Sequence, residues 1–316
     1  MLKYALKRIA EAVPTTFGIL LLTFILFNVV GGSPAEVVLG KNASAESIAA
    51  FNARFGYDKP LVFGRDSIFD SQFFRFVGDL AKGDFGYSVE LDEPVAAVLA
   101  RGVGPSLALT VPIFVGGTLI ALSLAAVSAA FRGRAADRAV LVGSTVLMSV
   151  NYVVWVLAGQ FILAFKLRLF PVWGFESAVY LALPVLIGTV SSLGSDVRFF
   201  RTAILDEIYR PYVLTARAKG LSGPVILVRH VLRNALIPIV TYVSLSIPGL
   251  FAGSLLLESF FGIPGLGSVS INAIQSADMA VVRSVVVLGA LLYQFVNLGT
   301  DLLYAALDPR VRLGGK

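Results

Sequence analysis

The chain has 316 residues, 57% of them hydrophobic and only 15% charged, with a mean hydropathy of +0.82. A water-soluble fold of this length does not bury that much apolar surface, so the composition specifies an integral membrane protein. The formal charge of +6 then reads as Lys and Arg gathered on the cytoplasmic side rather than as a nucleic-acid footprint. With no cysteine and a single histidine, His230, the chain has no means to build disulfides, iron–sulfur clusters or a thiolate or imidazole metal site.

The first thirty residues open with Lys3, Lys7 and Arg8 and continue into an apolar run from Val13 to Val30. That run is too long for the core of a cleavable leader, and GGSPAEVV after it is a weak cleavage site, so it is read as a retained span. A hydrocarbon core of about 30 Å takes about 20 apolar residues of helix. Six stretches meet that length: 9–30, 106–131, 139–165, 179–197, 236–257 and 281–305. All are expected to be helical, because lipid offers no partner to open backbone groups. Residues 1–30 therefore form the N-terminus and first span, 31–105 an extracytoplasmic segment, 106–305 a core of five further spans, and 306–316 a short tail. Basic residues cluster before span one, at Arg132, Arg134 and Arg138, between Arg198 and Arg233, and at the end of the chain, which predicts cytoplasmic termini.

Segment 31–105 holds ten Asp and Glu and many aromatic residues, among them Phe51, Phe55, Tyr57, Phe63, Phe69, Phe73, Phe74, Phe76, Phe85 and Tyr87. So many large apolar groups predict a folded helical cap rather than a floppy linker. Ser44 caps a first short helix that stops at Gly56, and a second runs over about 70–80. The cap is either a surface that receives another protein or a stabilising lid.

No GxxxxGK[ST] loop is present, and GIPGLGS and RLGGK do not supply its arrangement of backbone amides, Lys and hydroxyl. Nucleophile elbows, HExxH and catalytic dyads are equally absent, which argues against an enzyme. The pair Gly249 and Gly253 has the small-xxx-small spacing of close helix contacts, a feature shared by polytopic proteins in general.

The cytoplasmic loop 198–235 is the most distinctive stretch. Pro211 stands early in a short helix that runs through Ala216 and Ala218 and stops at Gly220. Alanines on its exposed face, with Arg217 and Lys219 at its end, suit a shallow groove with an acidic rim; an interfacial helix on anionic headgroups is the other reading. Arg229 and Arg233 then fall at headgroup depth and Pro238 just inside the next span. Polar residues within the spans are candidates for lining a passage: Asn151, Gln160, Ser244, Ser246, Gln294 and Asn297, with Asn28 beside them. Hydrogen bonding between helices is the plainer role for each. Asp196, Asp301 and Glu11 are read as structural, paired with loop arginines.

TARAKG followed by RHVLRNALIP resembles the EAA loop of ABC importer permeases, in the form typical of the dipeptide, oligopeptide and nickel permease family. The likeness extends along the chain: the first span with GGSPA after it, FGYDKP, GDFGYSV, ESFFGIPGLG and DLLYAALDPRVR each resemble blocks of that family in the same order. Leu214 stands where the EAA consensus is acidic, and Ser33 where the family usually has Asp. The resemblance implies an all-α, six-span type I importer permease in a bacterial or archaeal plasma or inner membrane. It implies a second homologous permease, two ABC ATPase subunits that hold ATP and magnesium, and an extracytoplasmic binding protein that delivers a peptide-like solute. This chain would bind no cofactor, and Thr215, Ala216, Arg217, Ala218, Lys219 and Gly220 would form the coupling helix. The alternative is a stand-alone secondary carrier or channel, for which inverted repeats with matching helix breaks are expected and none is visible.

Overall fold

The computed structural model describes residues 2–30, 35, 39–40, 43–55, 57–62, 69–88, 90–252 and 254–307. Ser33 in the GGSPA turn, Gly56, Phe63, Gly253 and the C-terminal block beyond residue 307 lie outside the described residues. In chain order the helices are α1 (Leu2–Val30), α2 (Ala45–Phe55) and α3 (Gln72–Ala81). A two-residue antiparallel ladder follows, β1 (Tyr87–Ser88) with β2 (Glu93–Pro94). Then come α4 (Val95–Ala130), α5 (Ala135–Ser149), α6 (Tyr152–Gly159, continued by a π-helical stretch Gln160–Lys166) and α7 (Ala178–Ile208). The remainder is α8 (Pro211–Ala218), α9 (Gly223–Ile226, continued by a π-helical stretch Leu227–Leu232), α10 (Arg233–Ser244), α11 (Ile247–Ala252), α12 (Leu255–Phe261), α13 (Leu266–Gln275) and α14 (Met279–Leu307).

Five of these helical stretches are long and apolar enough to cross a membrane: Leu6–Asn28, Val95–Ala130, Ala178–Ile208, Gly223–Ser244 and Met279–Asp301. Two further stretches qualify only as bent pairs, Ala135–Ser149 with Tyr152–Lys166 at 91°, and Ile247–Phe261 with Leu266–Gln275 at 71°. The stretch 139–165, read as one span, is occupied by a sharply broken pair of helices. Asn151 makes the break, accepting a hydrogen bond from the Val153 amide (2.9 Å) as the N-cap of α6. The expected span 236–257 also shifts. Its crossing helix starts earlier, at Gly223, and ends at Ser244, because Pro248 and Gly249 follow at once and weaken helix continuation.

The chain divides into two compact units, Met1–Gly102 with Val269–Lys316, and Val103–Ser268. In the first, α1 packs along α14, with Arg8 within 3.5 Å of Asp301 and 3.3 Å of Glu11. Asp301 and Glu11 are therefore paired as expected, though by an arginine of the N-terminus rather than of a loop. Phe73 of α3 is fully buried and meets Phe17 and Phe24 of α1 edge to face, at 5.2 and 5.5 Å between ring centroids. Both short helices expected in segment 31–105 form, α2 behind Ser44 and α3 behind its N-cap Ser71. Buried Asp278 at the head of α14 accepts from Ser88 Oγ of the ladder (2.5 Å).

In the second unit, α5 lies so close to α7 that a Cβ on Gly194 would fall 2.9 Å from the Ser144 carbonyl oxygen. At the end of that contact Asp137 is buried and accepts from Ser128 Oγ (2.5 Å), the Gly133 amide (2.8 Å) and the Arg201 guanidinium (3.0 and 3.1 Å). This one carboxylate ties α4, α5, α7 and the turn between α4 and α5. Removing one partner of a buried, hydrogen-bonded ion pair leaves the other charge uncompensated, which costs about 3–5 kcal/mol. Arg201→Ala is expected to lower unfolding stability in detergent by that order, with Arg201→Lys intermediate; chemical or thermal unfolding curves measure it, and wild-type midpoints in both variants would refute the role.

Candidate functional site

Loop 198–235 is helical for most of its length. Helix α7 continues through its first third to Ile208, and Tyr212 Oη donates to Glu207 Oε2 across the following turn (2.8 Å). Burial pushes the Tyr212 phenol above its ordinary pKa, so it stays a proton donor to that carboxylate at neutral pH. Helix α8 begins at Pro211, whose missing N–H falls where a helix has no intrahelical partner. Val213 and Ala216, three residues apart, turn the same face inward. They enter a cluster with Ala121, Ala125 and Ala129 of α4, Val197, Phe200, Ala203 and Ile204 of α7, and Ile226, Val231, Ala235 and Ile239 beyond.

The expected short helix from Pro211 is present, but its faces differ from the sequence reading. Ala216 is 6% exposed and belongs to the core, whereas Leu214 is 64% exposed and shares the outer surface with Thr215, Arg217, Ala218 and Lys219. Alternating small residues cannot reveal which of two alanines lies inward; the inward partner Val213 decides it. Gly220 adopts φ +77° and its amide bonds back to the Arg217 carbonyl (2.9 Å), a left-handed turn that favours glycine.

A cavity of about 310 Å³ lies within the same unit. Its polar lining comes from Thr110 and Thr118 of α4, Tyr152 of α6, Ser192 and Asp196 of α7, Tyr242 of α10, and Ser246 and Ser254. Of the sequence candidates only Ser246 reaches this cavity. Asn151 caps α6, Gln160 Nε2 bridges the carbonyls of Val172 (2.9 Å) and Phe260 (2.8 Å), and Ser244 is buried off the cavity wall. Gln294 and Asn297 lie partly exposed on α14 in the first unit. The bland role of interhelical bonding thus holds for Gln160. Asp196, read as the partner of a loop arginine, instead accepts from Tyr242 Oη (2.9 Å) and has no salt bridge among the described residues. The signal for it was an acid inside an otherwise apolar run.

Sequence reasoning also passed over Glu258. This side chain is 0% exposed and is met by four donors: Ser106 Oγ (2.8 Å) and the Ser254 amide (2.9 Å) at Oε1, the Gly267 amide (2.6 Å) and the Ser268 amide (3.1 Å) at Oε2. Ser106 itself accepts from the Leu266 amide (2.8 Å). The carboxylate thereby caps the starts of α12 and α13, and GIPGLG between them supplies the free amides that needed an acceptor. A single carboxylate ahead of a Gly-rich turn was the available signal. Glutamine keeps the shape but points an NH2 at two amide donors, so each orphaned donor costs about 1–3 kcal/mol. Glu258→Gln is expected to loosen residues 254–268, seen as faster proteolysis or hydrogen exchange there; protection equal to wild type would contradict the assignment.

Comparison with known proteins agrees with the architecture. Residues 117–313 match the family described as binding-protein-dependent transport system inner membrane component, and residues 1–110 match the N-terminal family of such membrane components. The glutathione transport system permease protein GsiC of Escherichia coli (strain K12) is 31% identical over 315 residues, which cover 99% of both chains. The proteins of that name from Shigella flexneri serotype 5b and Salmonella paratyphi A show the same identity and coverage.

Proposed function

The chain belongs to the family of binding-protein-dependent transport system inner membrane components, and on that premise we propose that it forms half of the passage of an ATP-driven importer of short peptides or peptide-like solutes. It is a non-catalytic permease subunit. Its family implies an ATP-hydrolysing partner and a substrate-binding protein, and the peptide-like cargo follows the glutathione named in the relatives. A second permease completes the passage, both termini face the cytoplasm, and nucleotide with magnesium resides on the ATPase subunits. The observation that carries this reading is α8: a helix anchored by Val213 and Ala216 in the core between α4 and α7, with Leu214, Thr215, Arg217, Ala218 and Lys219 turned outward. Leu214 supplies an apolar knob for a groove and the two cations match an acidic rim. The cavity around Thr110, Ser192 and Ser246 forms part of the passage.

The absence of cysteine makes single-thiol tests clean. In the assembled importer, Ala218→Cys is expected to crosslink to the ATPase subunit and the buried Ala216→Cys is not. No capture of a nucleotide-hydrolysing chain at Ala218, or uptake by proteoliposomes containing this chain alone, would overturn the reading. Arg217→Glu is expected to leave basal ATP hydrolysis standing while cutting its stimulation by loaded binding protein about tenfold, the size of one lost interfacial ion pair; stimulation at the wild-type level would argue against docking through this face.

A further inference from the structure

Asp196 is the only charged side chain among the described residues that line the cavity. A carboxylate inside an apolar helix is costly unless it is paired with a cation or well hydrogen-bonded, and such residues usually face a bundle interior or a watery passage. Asp196 has no cationic partner among the described residues, and its ordered contact is Tyr242, whose hydroxyl donates to Oδ1 at 2.9 Å. Ser195 Oγ approaches at 3.5 Å and the Ser192 hydroxyl also bonds the carboxylate, both from the same helix. Tyr242 is fixed in turn, because its ring stacks on Phe199 at 4.3 Å between centroids and meets Phe200 edge-on at 6.0 Å. The carboxylate is therefore held in one place on a wall otherwise made of hydroxyls and apolar groups, with part of it left accessible. Glu258 and Asp137 are fully buried and held by backbone amides or a guanidinium, whereas Asp196 is half-buried and met, among the described residues, by hydroxyls alone.

Resting on the reading of this cavity as part of the passage, we propose that Asp196 is a transient contact for a cationic group of the cargo, chemically the α-ammonium of a peptide. An ammonium has three donors and no acceptor, so it is matched by a carboxylate with free lone pairs and not by the surrounding hydroxyls alone. The hydroxyls of Thr118, Ser192 and Ser246 can serve the amide groups that follow it, and a volume near 310 Å³ lies at the lower end of small-ligand sites. One fixed negative charge in a low-dielectric wall also raises the local concentration of cations by about tenfold or more.

The test uses the complete importer with cysteine-free partner subunits and the single thiol Ser246→Cys. The cationic trimethylammonium-ethyl methanethiosulfonate is expected to modify it about tenfold faster than the anionic sulfonato-ethyl reagent. Adding Asp196→Asn should bring the ratio near one, and Asp196→Glu should keep it. Trialanine is expected to slow modification more than N-acetyl-trialanine does, with that difference lost in Asp196→Asn. Equal rates with the two reagents, a preference that survives Asp196→Asn, or equal protection by the two peptides would overturn the proposal while leaving the importer reading intact. A thiol unreactive towards both reagents in every nucleotide state would overturn the passage reading itself and the proposal with it.

Discussion

An amide N–H without a partner is costly in hydrocarbon, so a break in a buried helix calls for an acceptor to close it. The buried Glu258 carboxylate is the strongest of these closures. It joins the starts of α12 and α13 through backbone amides and reaches α4 through Ser106, so three elements share one acceptor. Two smaller closures repeat the principle: Asn151 caps α6 at the 91° bend, and Gln160 bridges the Val172 and Phe260 carbonyls. Because of these closures the interior is lined by broken helices rather than by a parallel stack, and a broken helix leaves room for a cavity. Thr110, whose hydroxyl bonds the carbonyls of both Ser106 and Leu250, belongs to this network and to the cavity wall at once.

The cluster around α8 is built differently, from small residues instead of polar ones. Ala121, Ala125 and Ala129 recur at helical spacing on α4 and share one buried cluster with α8 and the chain after it. Close packing of this kind transmits displacement, since interiors near crystal density have no slack to absorb it. A push on Leu214 or Arg217 therefore reaches Val213 and Ala216 and then α4 and α7 together. The Asp137–Arg201 pair binds those two helices to α5, so they respond as one body. The same α7 carries Asp196 several turns along, on the cavity wall, which connects the outward face of α8 to the cavity through a single helix.

How much of this was legible in the sequence follows from the type of signal. Apolar length placed α1, α4, α7 and α14 well, because hydrocarbon thickness is a constraint that no tertiary contact overrides. It failed at 139–165 and 236–257 for a reason the sequence shows only weakly: Asn151, Pro248 and Gly249 sit inside apolar runs whose mean hydropathy ignores them. Turn chemistry located α8 between Pro211 and Gly220, yet could not tell Ala216 from Ala218, since inward orientation depends on Val213 and on α4, far away in sequence. Helices α2 and α3 were readable from Ser44 and the aromatic residues, whereas the short ladder of β1 and β2 was too brief to leave a period. The polar candidates were chosen by residue type, and residue type does not distinguish a capping Asn from a lining Ser.

The chemistry of the cavity bears on how such a passage handles varied cargo. Hydroxyl groups donate and accept, so Thr118, Ser192, Ser246 and Ser254 offer partners to amides in either orientation without preferring one sequence. A carboxylate acts over a longer range and on charge alone. Conduction requires a site that is favourable to enter and easy to leave, and a charge shared with Tyr242 meets that condition better than a bare one. The tyrosine hydroxyl takes part of the lone-pair capacity of Asp196 and spreads its charge, which weakens the grip on an ammonium while preserving its direction. On the proposed reading of this cavity as part of the passage, the wall orients its solute and leaves discrimination to the substrate-binding protein, where tight binding does not slow the step that crosses the membrane.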